Sequence, residues 1–307
     1  MPAPGPALTL RTLWTLALRT VRDADEDRVL GLAAEVAFYA LCALPPTLLA
    51  ILGAAGYIGE AFGPDVKQGL IGYVVASAST FLSPTTVADV VRPTVETVLG
   101  KGRADVFSIG LLVALWSASS SAHVVLEALI IAYDVEAKRS LLRKRAKAMV
   151  FTVAGLGGAA LLLPLLVAGP RLGAALAAPL GLASGFATAW RLAYWPGVAV
   201  LSVVLLATLY HFAVPWKTPF LRDVPGATLA LCLWLLASVG LRRYVLWTTA
   251  SRSVYGSLAA PIVLLTWLYL TALAVLIGAE LNAEIEKMWP TVTVRSGKGL
   301  APAPPRG

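Results

Sequence analysis

The sequence predicts an all-α integral membrane protein of about six transmembrane helices, with interfacial, amphipathic helices added. Three observations carry that prediction. Apolar runs of about twenty residues recur from Ala33 to near the end of the chain, each long enough to cross hydrocarbon. Of the 307 residues 58% are hydrophobic and 14% charged, where soluble domains hold roughly 45 to 50% and 25%. The 25 lysines and arginines, behind a net charge of +8, sit in short segments between apolar runs rather than over one soluble face. That distribution points to anionic lipid headgroups as partners and away from nucleic acid.

Residues 1–30 read as a basic cytoplasmic segment. Leu10, Leu13, Trp14, Ala17, Leu18 and Val21 follow the spacing of one helical face, with Arg11, Thr15 and Arg22 opposite, the pattern of a helix resting on a membrane surface. A partner-binding helix is the alternative. Residues 31–288 form the membrane domain. Its first span runs from Ala33 to Ile58 and holds Pro45 and Pro46, which predict a kink. Residues 59–105 read as an outer elaboration: Val66 to Leu82 is apolar but rich in Gly and Ser, and Val87, Val90, Val91, Val95 and Val98 suggest an amphipathic stretch.

Further spans are expected at Val106–Ala132, Ala148–Ala168, Leu192–Val214, Gly226–Trp247 and Leu258–Asn282. Gly169 to Arg191, broken by Pro170 and Pro179, is expected to lie along the outer interface. Six crossings put both termini on one side. Charge bias makes that side cytoplasmic, because the inner set then holds 16 Lys and Arg and the outer set 9. Residues 289–307 are too polar and Pro-rich to pack and read as a disordered tail.

Ionisable groups at a helix centre in lipid cost on the order of 2.5 to 3.5 kcal/mol on insertion scales, so each asks for a reason. Glu35, Glu127 and Glu280 all fall in the cytoplasmic third of their spans, a shared depth that allows one polar cavity for a proton, a cation or the polar part of a substrate. Snorkelling to the interface, or pairing with Arg28, Arg222 or a loop lysine, is the plainer reading. Arg242, Arg243 and Tyr244, followed by Arg252 and Tyr255, suit an outer anionic site or interfacial anchoring. Lys138, Arg139, Arg143, Lys144, Arg145 and Lys147 form a basic run facing anionic headgroups, a topology determinant first.

Cys42 and Cys232 stand far apart in apolar stretches, which predicts small buried hydrophobes and neither metal nor disulfide chemistry. His123 and His211 read as isolated, hydrogen-bonded core residues without a carboxylate at ligand spacing. No secretory signal, phosphate-binding glycine loop, nucleophile elbow or paired metal motif is found, so no cofactor is expected.

Four blocks resemble the YihY/BrkB family of bacterial inner-membrane proteins, once labelled ribonuclease BN. They are Ala33 to Leu49 (AAEVAFYALCALPPTLL), Leu115 to Ala148, Leu209 to Val245 and Tyr255 to Lys287, with PGA at 225–227, YGS at 255–257 and GAEL at 278–281 in that order. Ala43, Pro45 and Ile130 depart from the family's usual residues. The resemblance implies a six-helix protein of the bacterial plasma membrane with cytoplasmic termini. It transfers no settled activity; virulence, envelope integrity and lipid export have been associated with the family. The leading expectation is a transporter or lipid-flippase-like protein for an envelope lipid or anionic amphipathic solute. In it Glu35, Glu127 and Glu280 line an inner cavity, and Arg242, Arg243 and Tyr255 an outer site. A non-transporting envelope scaffold is the alternative. A nuclease is disfavoured, since metal-assisted hydrolysis needs clustered aqueous ligands and no soluble domain is available to hold them. The oligomeric state is not readable from the sequence.

Overall fold

A computed structural model describes residues 10–62, 68–69, 71–72, 75–76, 87–100, 104–133, 142–155, 157–158, 184–213, 219–250, 259–290, 295–296 and 299–300. These residues form α1 (Leu10–Glu26), α2 (Val29–Phe62), a wide π-type turn (Val87–Val91) leading into α3 (Arg92–Gly100), α4 (Ala104–Ala132), α5 (142–155), α6 (Ser184–Ala213), α7 (Val224–Ala250) and α8 (Ala259–Met288). A short 3-10 turn, Phe220–Arg222, precedes α7. In the tail expected to be disordered, Arg295–Ser296 pairs antiparallel with Gly299–Leu300.

Among the described residues five helices are long and apolar enough to cross a membrane, over Val29–Thr47, Leu115–Ala132, Thr188–Ala213, Phe220–Trp247 and Pro261–Met288. The chain is therefore an all-α, multi-pass membrane protein. The other expected span, Ala148–Ala168, starts inside α5 and runs on outside the described residues, as do most of Val66–Leu82 and of Gly169–Arg191. Helix boundaries differ from expectation at three places. α5 already carries Arg143, Lys144, Arg145 and Lys147 in its first turns, so four of the six basic residues of the run are in helix rather than loop. α6 begins at Ser184 and continues through Pro196. α8 runs on to Met288, beyond Asn282, where the apolar pattern fades but helix-favouring Ala, Glu and Lys continue.

The chain divides into two compact units. The first comprises residues 1–33, 123–236 and 271–307. Its interior is built from small side chains: Ala33, Ala207, Ala213, Ala227, Ala230, Ala279 and Ala283 are all buried, around the larger Leu129, Tyr210 and Leu276. Large apolar side chains such as Leu192, Trp195, Val204, Leu235 and Leu236 point outward. Lipid accounts for that arrangement, because helices gain little by hiding Leu from hydrocarbon and associate by close approach of small residues. Within this unit α1 buries Leu16 and Thr20 while Leu10, Leu13, Trp14, Leu18 and Val21 stay exposed. Arg28, at φ 56°, makes the left-handed turn from α1 into α2.

The second unit comprises residues 34–122 and 237–270. Ser121 joins α4 to α2 by donating to the Val36 carbonyl at 3.2 Å, and Val36, Ala37, Ala43 and Ser119 are buried. α2 is helical through Pro45 and Pro46, which give no N–H to the carbonyls of Leu41 and Cys42. The Thr47 hydroxyl donates to the Ala43 carbonyl at 2.6 Å. Cys42 and Cys232, expected to be buried, are exposed on the flanks of α2 and α7, where an apolar thiol suits lipid contact. Val87 and Val95 are buried and Val91 is half-buried, while the side chains of Val90 and Val98 lie outside the described residues.

Candidate functional site

The polar groups of the first unit gather where the start of α7 meets the second half of α8. The approach rests on two glycines. A Cβ on Gly226 would strike the Gly278 carbonyl and the Asn282 side chain, and one on Gly278 would come within 2.7 Å of the Tyr210 hydroxyl and 2.9 Å of the Ala230 Cβ. With the backbones this close, Asn282 of α8 completes the first turn of α7. Its Oδ1 accepts the Gly226 N–H at 2.7 Å and its Nδ2 donates to the Asp223 carbonyl at 3.0 Å. A helix start leaves its first amides without intrahelical partners, so this bond satisfies a group that lipid could not.

Asp223 itself is almost fully buried, and its Oδ2 lies 3.1 Å from His211 Nδ1 of α6, a separation that an imidazole N–H donating to a carboxylate fills. Beside it the Tyr210 hydroxyl donates to the Val275 carbonyl at 2.7 Å, and Arg222 approaches Glu286 at 3.9 Å. Tyr133, at the end of α4, is buried against Ala132 and Ala283. Burial, and then the charges of Asp223, Glu286 and Glu280 together with the Tyr210 phenol, hold its phenol above the ordinary range, so it stays a hydroxyl.

Glu280 is 1% exposed, and its Oε2 has no hydrogen-bond partner among the described residues. The charged groups acting on it are Asp27, Lys287, Asp23 and Glu284. Neither cation expected for it takes that role: Arg222 faces Glu286, and Arg28 is exposed with its guanidinium over Gly31. Lys287 instead binds Asp23 of α1 at 2.7 Å and Glu284 at 3.2 Å.

The remaining expected residues lie in different surroundings. Glu127 is half-exposed, 3.3 Å from Lys144 and 3.7 Å from His123. The small recess beside it is lined by His123, Leu126, Ile130, Lys144 and Lys147 and does not include Glu280. Lys147 donates to the Ala213 carbonyl at the end of α6. Glu35, in the second unit, is exposed on α2, and Arg242 and Arg243 are exposed on α7. Tyr255, Lys138 and Arg139 lie outside the described residues. The expectation that neither histidine has a carboxylate nearby is corrected: His123 has Glu127 one helical turn on, and His211 has Asp223 across the α6–α7 connection. Asn282, Asp223, Glu284, Glu286 and Lys287 were not expected as site residues. The i, i+4 spacing of His123 and Glu127 was a readable signal; for Asp223 and Asn282 none existed, since their contact depends on folding.

Residues 20–299 match the family model described as Virulence factor BrkB, which takes in α7, α8 and the C-terminal part of α1. The ribonuclease-like protein YfkH of Bacillus subtilis is 30% identical over 262 residues, covering 83% of this chain and 89% of that protein. A UPF0761 membrane protein of Tolumonas auensis is 33% identical over 100 residues, 33% of this chain and 32% of its own. UPF0761 membrane protein VV0203 of Vibrio vulnificus is 36% identical over 86 residues, 28% of each chain. This chain therefore spans a third or less of the two UPF0761 proteins in its matches to them. No solved structure matches the chain. With a family match over most of its length and apolar helices long enough for the bilayer, the chain belongs to the Virulence factor BrkB family of membrane proteins.

Proposed function

We propose that this protein is a transporter or flippase-like protein that moves an envelope lipid or another anionic amphipathic solute across a bacterial plasma membrane. One observation carries the reading: Glu280, a carboxylate without a hydrogen-bond partner on its Oε2, is buried in a membrane-spanning helix beside other polar groups. Burying an unpaired ionisable group costs several kcal/mol, and a protein kept only for shape would be more stable with an apolar residue there. Arg143, Lys144, Arg145 and Lys147 on α5, with Lys138 and Arg139 before it, would hold anionic headgroups, and Arg242 and Arg243 with Tyr255 would form the opposite-face site. Both termini are cytoplasmic in this reading.

The scaffold alternative draws support from Glu127, which is paired locally with Lys144, and from Glu35, which is exposed. Neither shows the burial of Glu280. A ribonuclease, suggested by the name of the Bacillus relative, has less support: among the described residues no group of three or more His, Cys, Asp or Glu side chains is arranged to hold a metal ion.

The test is reconstitution into vesicles with fluorescent phospholipids and a polyprenyl phosphate. Glu280→Gln is expected to lower transbilayer movement at least tenfold while inserting and accumulating normally. Gly278→Leu, which drives a side chain into Gly226 and Tyr210, is expected to lower the melting temperature as well. Full transport by Glu280→Gln alongside loss in Gly278→Leu would move the assignment to the scaffold.

A further inference from the structure

In the second unit a groove of about 320 Å3, open to the surface, lies between Ala34, Ala37 and Phe38 of α2 and Leu265, Thr266 and Tyr269 of α8. The α2 residues share one helix face by their i, i+3, i+4 spacing. Two of them are alanines, and Ala37 is buried, so the width of the groove comes from side-chain atoms that are not there. Phe38 stands as one wall, its ring edge-on to that of Tyr39 with 5.8 Å between centroids. All six lining residues lie inside the stretches long and apolar enough to cross a membrane, Val29–Thr47 and Pro261–Met288.

The chemistry of the lining selects its occupant. The Thr266 hydroxyl already donates to the Ile262 carbonyl at 2.8 Å, which leaves the Tyr269 hydroxyl as the remaining polar side-chain group. An ordered water needs about two to four polar partners, and an ion needs more, so neither suits the groove. An apolar chain needs none. At roughly 30 Å3 for each water-sized group, the volume takes about ten of them, room for much of an acyl chain and too much for one side chain. The groove is also continuous with the lipid-facing surface, because Phe38 and Leu265 are themselves exposed, as are Ile262 and Leu264 beside them. Hydrocarbon chains bathe such a surface in the bilayer, and one can enter sideways without crossing a polar layer.

We propose that the α2–α8 groove is a binding site for one acyl chain of a membrane phospholipid. The chain lies over Ala34 and Ala37 with Phe38 and Tyr269 as walls, and supplies the dispersion contacts that an empty groove would forfeit. The site deepens the transport reading by naming the part of the lipid that the second unit holds. It rests on that reading only for the claim that the bound chain belongs to a lipid in transit.

The test places the full-length protein in vesicles of phosphatidylethanolamine and phosphatidylglycerol that contain a phospholipid with a photoreactive diazirine in one acyl chain. Mass spectrometry then locates the labelled residues. Residues 34–38 and 265–269 should carry at least fivefold more label than Leu192, Val204 and Leu236, which are apolar and exposed elsewhere. Ala34→Phe, a change at an exposed position that fills the groove, should cut labelling of Tyr269 at least threefold and leave Leu192 unchanged. The wild-type distribution decides the matter even if that variant folds poorly. Label spread evenly over the exposed apolar residues, or unchanged at Tyr269 in a folded Ala34→Phe, overturns the site. So does a photoreactive residue in place of Phe38 that links two copies of the protein instead of lipid. Groove labelling as expected, with undiminished lipid movement in Ala34→Phe, keeps the chain site and removes its part in transport. Even labelling, with movement lost in Glu280→Gln, overturns the groove and leaves the transport reading standing.

Discussion

Asn282 shows how much one side chain does at a buried helix junction. It accepts from Gly226 and donates to Asp223, and both Asn282 and Asp223 are buried within the protein, which leaves water little access to replace either bond. Asn282→Ala would orphan the Gly226 backbone N–H, a loss of about 1–3 kcal/mol for a buried group, while the Asp223 carbonyl keeps the Ala227 N–H at 3.1 Å. We expect destabilisation of about 1–3 kcal/mol, read as a lower melting temperature in detergent. Asn282→Asp, which keeps the acceptor and loses the donor, should fall between it and the wild type. Equal stability of Asn282→Ala and wild type would mean that α7 finds another cap. Glu280 was legible in the sequence because a carboxylate after Gly278 and Ala279 breaks an apolar run. Asn282, Glu284 and Glu286 were not, because the expected span ended where hydropathy faded although helix propensity did not. Lys287 was counted only for its charge, since sequence gives no distance to Asp23.

At the scale of the element, α1 is informative. Its apolar stripe was legible from periodicity, and that stripe is the exposed one, while the opposite edge carries Leu16, Thr20 and the Lys287 contact of Asp23. A helix fastened along one edge and apolar along another fits the lipid interface. We expect brominated phospholipids to quench tryptophan fluorescence more in wild type than in Trp14→Phe, with the difference lost if Leu18 and Val21 are also changed to Glu. Quenching identical in wild type and Trp14→Phe would place that stripe away from lipid. The helix ends were read less well than the helices. α6 starts before its expected span because the glycines and prolines upstream were taken to exclude helix up to Arg191, yet Ser184 to Arg191 continues the helical pattern without proline. Pro196 within the helix shows that one missing amide is tolerated there.

For the whole molecule, the fold class was legible because bilayer thickness sets span length and the composition leaves too few charges for a water-facing shell. What could not be read was which residues would be inside. Binary patterning assumes that large apolar residues are buried, whereas here alanine fills the first unit and Leu, Val and Trp face out. Charge asymmetry, with 16 basic residues assigned to one side and 9 to the other, predicts cytoplasmic termini. A reporter active only in the cytoplasm should work when fused to the C-terminus and fail when inserted within Gly169 to Arg191. The reverse pattern would invert the topology.

The bond from Asn282 to the first turn of α7 also has a meaning in time. The ribosome delivers Gly226 well before Asn282, so α7 must first enter the bilayer with its leading amide satisfied by something provisional. Only when the end of α8 follows can that amide exchange its temporary partner for the permanent one. The step that completes the start of one helix is thus withheld until the next is nearly finished. Maturation of the α7–α8 hairpin therefore has a late checkpoint, and a chain stopped between Gly278 and Asn282 would hold both helices in the membrane yet lack the closure that commits them to each other.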